Sequence, residues 1–350
     1  MKQTKYFLAA NSCDGFISYF DTCYDPNDGW KAYVIKGGPG TGKSSFMKKI
    51  AKRAEEEGYE VHRCPCSSDP DSLDAVVIPR LKVSILDGTA PHVIDPVYPG
   101  AVENILNFGD FWDREKLVNK RKEIIKLTDK NKALHKTASA FLKSAGTLLK
   151  DNRSKTEKYV DTEKAESYAK SLCKKYLKEK GSAAHEDIRF LSAVSPKGIV
   201  NFEDTVYAFC DKTVVISDDS GVVSSLIFDL IKEKALEKQF KIITVKNPFL
   251  PKVTEHILIP ELGLAFLRDS KYFPIKTDSR RIHAKRFIKC EEISKKAKLN
   301  NKTAKMLIDF AVDTLKNAKS VHDELEENFI DAMDYEAIDK FTKKFCDNLF

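Results

Sequence analysis

Ala32-Tyr33-Val34-Ile35-Lys36-Gly37-Gly38-Pro39-Gly40-Thr41-Gly42-Lys43-Ser44 joins a short apolar run to a glycine-rich turn and then to a charged stretch with helical periodicity. Ala32 to Ile35 reads as a buried strand, and Lys43 to Glu57 as a helix that Gly58 stops. The turn between them fits the pattern G-x-x-x-x-G-K-[ST]. Glycines there permit positive φ and let backbone N–H groups converge on an anion. A helix starting at Lys43 adds the positive end of its dipole. The spacing therefore predicts a P-loop for a nucleoside triphosphate such as ATP, formed by Gly37, Gly38, Pro39, Gly40, Thr41, Gly42, Lys43, Ser44 and Ser45. Lys43 is placed to reach the β- and γ-phosphates, and Ser44 to ligate Mg²⁺.

Outward from the loop, Tyr59 to Cys64 reads as a second strand and Lys82 to Leu86 as a third, ending in Asp87. Pro99-Gly100 is read as opening another helix, through Leu106. The alternation predicts an α/β fold, its mostly parallel sheet covered by helices on both faces. Asp87 would then sit at the C-terminal edge of the sheet, where ligands bind in open α/β folds, as the second Mg²⁺ ligand. Two other stretches carry polar chemistry, Ser67-Ser68-Asp69-Pro70-Asp71-Ser72-Leu73-Asp74 and Asp87-Gly88-Thr89-Ala90-Pro91-His92. Asp69, Asp71 and His92 are the further catalytic candidates. Against that stand plainer readings: a turn with a helix N-cap for the first stretch, a cap on Gly88-Thr89 for Asp87, and an idle loop histidine for His92.

The sequence also repeats itself. A shift of 181 residues aligns two stretches without a gap, placing Val34-Ile35 on Val215-Ile216, Gly40 on Gly221, Ser44 on Ser225, and Ile78-Pro79 on Ile259-Pro260. Upstream, Phe7-Leu8-Ala9-Ala10 resembles Phe190-Leu191-Ser192-Ala193. In the second copy the apolar skeleton persists while the loop chemistry is gone. Asp218-Asp219 replace Gly37-Gly38, Val223 replaces Gly42, Ser224 replaces Lys43, and Arg268 replaces Asp87. The expected organisation is two duplicated P-loop domains, 1–112 active and 184–288 degenerate. Each is followed by a helical, lysine-rich segment, 113–183 and 289–350.

Length and composition agree with two soluble domains: 350 residues, 42% apolar and 32% charged. No apolar run approaches the ~20 residues of a membrane span, and the N-terminal apolar stretch is too short for a signal peptide, so a cytoplasmic protein is expected. Eight dispersed cysteines predict free thiols. His62-Arg63-Cys64-Pro65-Cys66 is read as a strand end rather than a metal site. Arg114 to Lys180 holds 20 Lys/Arg against 9 Asp/Glu, a balance of +11 within a chain of net +7. Nucleic acid, an acidic partner or an anionic surface could meet such a segment. With few aromatics interleaved for base stacking, the solvated helical hairpin is preferred.

Lys36 to Ser44, Ser67 to Asp74 and Asp87 to His92 together resemble a bacterial family of tandem P-loop ATPase-like proteins, over nearly the whole chain. The resemblance implies a P-loop NTPase fold and ATP binding, with no established substrate. The chain departs from it in the second half, where members can carry another complete glycine loop. The leading expectation is an Mg²⁺-dependent ATPase with one active site, its second domain a scaffold or a surface for a protein partner. Asp87 is followed by Gly88, not by a water-polarising Glu, which points to slow turnover. The alternatives are a small-molecule or nucleotide kinase using Asp69, Asp71, Asp74 or His92 on an acceptor hydroxyl, and a nucleic-acid-associated ATPase.

Overall fold

Ala32, Val34 and Ile35 are fully buried, in a strand that has a parallel neighbour on each side. The computed structural model describes residues 4–90, 93–289 and 295–350. In the first half the strands are β1 (Thr4–Lys5), β2 (Ala9–Ser12), β3 (Gly15–Ser18), β4 (Lys31–Lys36), β5 (His62–Pro65), β6 (Leu73–Ile78), β7 (Val83–Asp87) and β8 (Glu103–Asn107). The helices are α1 (Lys43–Glu56), α2 (Arg114–Asn119), α3 (Arg121–Glu157) and α4 (Thr162–Tyr176). The second half has β9 (His185–Arg189), β10 (Ser192–Ser195), β11 (Gly198–Asn201), α5 (Asp204–Phe209), β12 (Lys212–Ser217), α6 (Val222–Glu237) and β13 (Lys241–Lys246). It continues with β14 (Thr254–Ile259), β15 (Leu264–Asp269), β16 (Arg281–His283), α7 (Lys295–Ile330) and α8 (Tyr335–Leu349).

The two halves are built alike. The six-stranded sheets run β1-β5-β6-β7-β4-β8 and, read from the same end, β9-β13-β14-β15-β12-β16. Each is mixed, because β6 and β14 lie antiparallel to both neighbours while the remaining pairs are parallel. The reversal at β6 is made by a tight turn over Pro79–Leu81 that ends with Lys82 at φ 54°; Gly263 takes that place in the second half, at φ 58°.

Two expectations need correction here. Glu103–Asn107, which overlaps the stretch expected as a helix, is the edge strand β8, because its backbone completes the ladder along β4. The Ser67–Asp74 stretch caps no helix; it turns directly into β6, every residue of which is buried.

The longer helices cover one face of each sheet, and the short α5 lies on the other, where its Val206 joins the cluster between the sheets. On the first, Phe46, Met47, Ile50, Ala51 and Ala54 of α1 pack on Ile35, Val76, Ile78, Val83 and Ile85. The opposite face, with Ala32, Cys64, Ala75, Val77 and Leu86, joins Val215, Val245, Leu258, Ala265 and Leu267 of the second sheet in one continuous cluster. The halves also meet at Phe7 and Phe190, which exchange backbone hydrogen bonds of 2.7 and 2.9 Å.

The helical segments are exchanged. Ala165, Ala169 and Leu172 of α4 pack on Ile227, Phe228 and Ile231 of α6, in the other half. Reciprocally, Ile338, Phe341 and Phe345 of α8 cover Phe46 and Met47 of α1. The long helices α3 and α7 share an alanine-rich seam that includes Ala138, Leu142, Ala145, Ala304, Ile308, Ala311 and Leu315. Small side chains bring the backbones close, so the Asn131 amide reaches the Ala318 carbonyl across the seam at 3.3 Å. A buried polar pair of this kind fixes register. No helix among the described residues is long and apolar enough to cross a membrane.

Candidate functional site

β4 and α1 hold the glycine loop between them, with Gly40 at φ 65° and Gly42 at φ 83°, a conformation that side-chain-bearing residues rarely adopt. Thr41 closes the turn by donating its hydroxyl to the Gly38 carbonyl at 2.9 Å. Lys43 folds back over the loop. Its Nζ donates to the same carbonyl at 2.6 Å and stands 3.7 Å from Asp87 Oδ2. Ser44 Oγ accepts the Leu73 N–H at 3.0 Å, which ties α1 to the start of β6. Ser45 points to solvent.

Asp87 ends β7 beside the loop, where it caps the Gly88-Thr89 turn and faces Lys43. One oxygen accepts the Thr89 amide at 2.9 Å and the Thr89 hydroxyl at 2.6 Å, while the other faces Lys43. Burial raises its pKa; the Lys43 ammonium and the Thr89 bonds pull the other way, and Asp74 raises it further. Asp74 itself is buried, next in sequence to the Leu73 amide that binds Ser44. The residue after Asp87 has to be glycine. A Cβ at position 88 would lie 2.3 Å from Val34 Cγ1, so no glutamate fits there.

The other candidates are not gathered at Lys43. Asp69 organises its own turn through Ser72, 2.8 Å away, and faces Lys319 of α7 at 3.6 Å. Asp71 is exposed and pairs with Lys197, in the β10–β11 turn, at 2.5 Å. His92 lies outside the described residues. Cys64 and Cys66 are free thiols, and burial pushes both pKa values up. Among the described residues no group of three or more His, Cys, Asp or Glu could hold a metal ion. Mg²⁺, by contrast, is commonly held by one or two carboxylates together with phosphates and water, a demand that Ser44 and Asp87 could meet.

Sequence reasoning missed the roof over the loop, which comes from the exchanged helices. The Gly40 N–H donates to Glu326 Oε1 of α7 at 3.3 Å, and the Tyr335 hydroxyl donates to the Gly40 carbonyl at 2.6 Å. Phe329 lies so close that a Cβ on Gly38 would be 2.6 Å from its ring. His322 bonds to Glu326 at 3.3 Å; this bond and burial act in opposite directions on the Glu326 carboxyl, and the net effect is a lowered pKa. One sequence signal pointed here. The offset that sets Cys173 on Cys346 also sets Arg153 on Glu326, and Arg153 reaches across to the Ser220 carbonyl of the second loop at 3.4 Å.

That second loop contains its own anion. The Asp218 carboxylate, 3% exposed, accepts the amides of Ser220, Gly221 and Ser224 at 3.0, 2.9 and 2.9 Å, and the hydroxyls of Ser220 and Ser224. Arg268 is buried beneath it, 2.7 Å from Glu255, with its other nitrogens on the carbonyls of Asp218 and Asp219. The converging amides are occupied from within the chain.

No family model matches the chain, and neither a curated protein nor a solved structure matches it. Any likeness to tandem ATPase-like proteins therefore rests on the quoted residues alone.

Proposed function

We propose that the first half is a P-loop unit that binds one Mg·ATP per chain and hydrolyses it slowly, and that the second half is a degenerate duplicate serving as scaffold and roof. The observation that carries this reading is the contrast between the two loops. The first sets Lys43 beside Asp87 and holds the Gly40 amide on a carboxylate of α7 at 3.3 Å, whereas the second fills the matching amides of Gly221 and Ser224 with Asp218 of its own loop. In the first loop an incoming phosphate takes the Gly40 amide from Glu326, and Lys43 turns from the Gly38 carbonyl to the phosphates. Ser44 and Asp87 would hold Mg²⁺, which neutralises phosphate charge when bound. Hydrolysis is favoured over transfer to an acceptor because two of the four candidate bases of a kinase, Asp69 and Asp71, face Lys319 and Lys197.

Calorimetric titration of the full chain with a non-hydrolysable ATP analogue and Mg²⁺ is expected to give a stoichiometry of one. A value of two, falling to one in the Lys43→Ala protein, would mean that the second loop also binds and would end the scaffold reading. Asp87→Asn is expected to lower Mg²⁺-dependent turnover by roughly a hundredfold, the scale of losing one preorganised electrostatic contact at a reacting centre. Its affinity for nucleotide without metal stays within a few-fold. Wild-type turnover in that variant would move the metal role to Asp74.

A further inference from the structure

We propose that the cleft between the start of α2 and the start of α8 receives the base of a purine nucleotide whose phosphates lie on the glycine loop. The proposal rests on the reading of that loop given above. The cleft is shallow and open, with a volume of about 660 Å³. One wall is Asp110 to Asp113 with Lys116 of the first half, and the other is Ala332 to Tyr335 with Ala337 of the second.

Two contacts join the cleft to the loop. Tyr335, in its wall, donates its hydroxyl to the Gly40 carbonyl at 2.6 Å, and its ring lies 3.5 Å from where a Cβ on Gly42 would stand. Trp112, in the facing wall, packs at 6.4 Å between ring centroids on Phe329, the residue that covers Gly38. Topology brings the walls together. β8 runs parallel to β4, so residues 108–113 leave the sheet at the same edge as the glycine loop. The antiparallel bridge between Trp112 and Met333 then pins the second wall to the first.

The chemistry of the lining suits a purine. Tyr335 is 38% exposed, and Trp112 and Met333 are half-buried, so flat apolar surface is open to a planar ring. Aromatic faces bind bases by stacking, whatever their sequence of polar edges. Asp113 and Asp334 spend one oxygen each capping α2 and α8, and Asp113 turns the other to Lys116. The acceptors for ring or exocyclic N–H groups are therefore the second oxygen of Asp334 and Asp110, which Asn107 holds at 2.7 Å. Since the cleft has a wall from each half, the base contacts the exchanged helix hairpin and the phosphates contact the first sheet. Nucleotide binding and the docking of α8 then become one equilibrium.

The test compares ATP with tripolyphosphate, which carries the phosphates without a base, on the full chain and on Trp112→Ala and Trp112→Phe. The expected result is that ATP binds the natural chain tighter than tripolyphosphate. Trp112→Ala should lose about tenfold or more in ATP affinity with tripolyphosphate affinity kept within about twofold, and Trp112→Phe should recover most of the loss. In a Trp30→Phe background, which leaves Trp112 as the one tryptophan, ATP should quench fluorescence and tripolyphosphate should not. If tripolyphosphate binds as tightly as ATP, or the substitutions weaken both alike, the base site is refuted while the phosphate loop stands. If the natural chain binds neither, the loop reading has failed and the base site falls with it.

Discussion

The Lys43→Ala protein is expected to bind Mg·ATP at least about a hundredfold more weakly than the natural chain while keeping its fold. Two charge-assisted hydrogen bonds to phosphate oxygens contribute on the order of 1.5–3 kcal/mol each, and about 3 kcal/mol is a hundredfold in affinity. On the proposed reading the lysine has few ties to give up. Its present partners are one loop carbonyl and a carboxylate 3.7 Å away that Thr89 already binds. The side chain is only 10% exposed and faces the largely buried Asp87, which keeps its Thr89 bonds, so the melting midpoint should fall modestly while the far-ultraviolet spectrum changes little. Titration with a fluorescent ATP analogue measures the loss. Undiminished affinity would refute the central claim about the loop.

Arg268→Ala should have the opposite profile, costing about 3–5 kcal/mol of stability with little effect at the first loop, because it leaves a buried carboxylate without its cation. Glu255 is 2% exposed and keeps only the Asn247 amide, at 2.7 Å, once the guanidinium is gone. Burial already raises the Glu255 pKa even with Arg268 beside it. In the variant it rises further, so the folded state holds a proton that the unfolded state has released. The deficit therefore grows as pH rises from the unfolded carboxyl value, ~4.5, through the raised folded value, and it shrinks in acid. Urea unfolding at pH 4 and pH 7.5 reads this directly. Glu255→Gln added to Arg268→Ala should return part of the loss at neutral pH. A deficit under about 1 kcal/mol, independent of pH, would show that Arg268 does not hold the second loop together.

Much of the first sheet could be read from the chain because local chemistry there has one solution. Glycines at 40 and 42, a lysine at 43 and an apolar run before them leave little but a strand, a turn and a helix. The 181-residue offset carried further still, since apolar positions that match in sequence lie at matching places in two sheets of the same strand order. Where local chemistry has two solutions, the reading went astray. Ser, Asp and Pro at 67–72 favour a helix cap and a plain turn alike, and only pairing with β5 and β7 decides for the strand. Pro99-Gly100 likewise opens helices and turns, and β4 settles the matter. The exchange of helices was beyond reach for a different reason. An apolar stripe such as Ala165, Ala169 and Leu172 states that a partner exists, and α1 and α6 present comparable surfaces to it. Glu326, Phe329 and Tyr335 share no motif with a loop almost 300 positions away.

That separation sets a timetable for a chain made from its N-terminus. Glu326 follows Gly40 by 286 residues. At roughly 5–20 residues per second, the nascent loop waits on the order of 15–60 seconds before its roof has been synthesised. The first sheet spends that interval with Phe46 and Met47 bare of α8, and the second is complete before the hairpin that closes the first exists. The later-made hairpin thus closes over a loop made long before it.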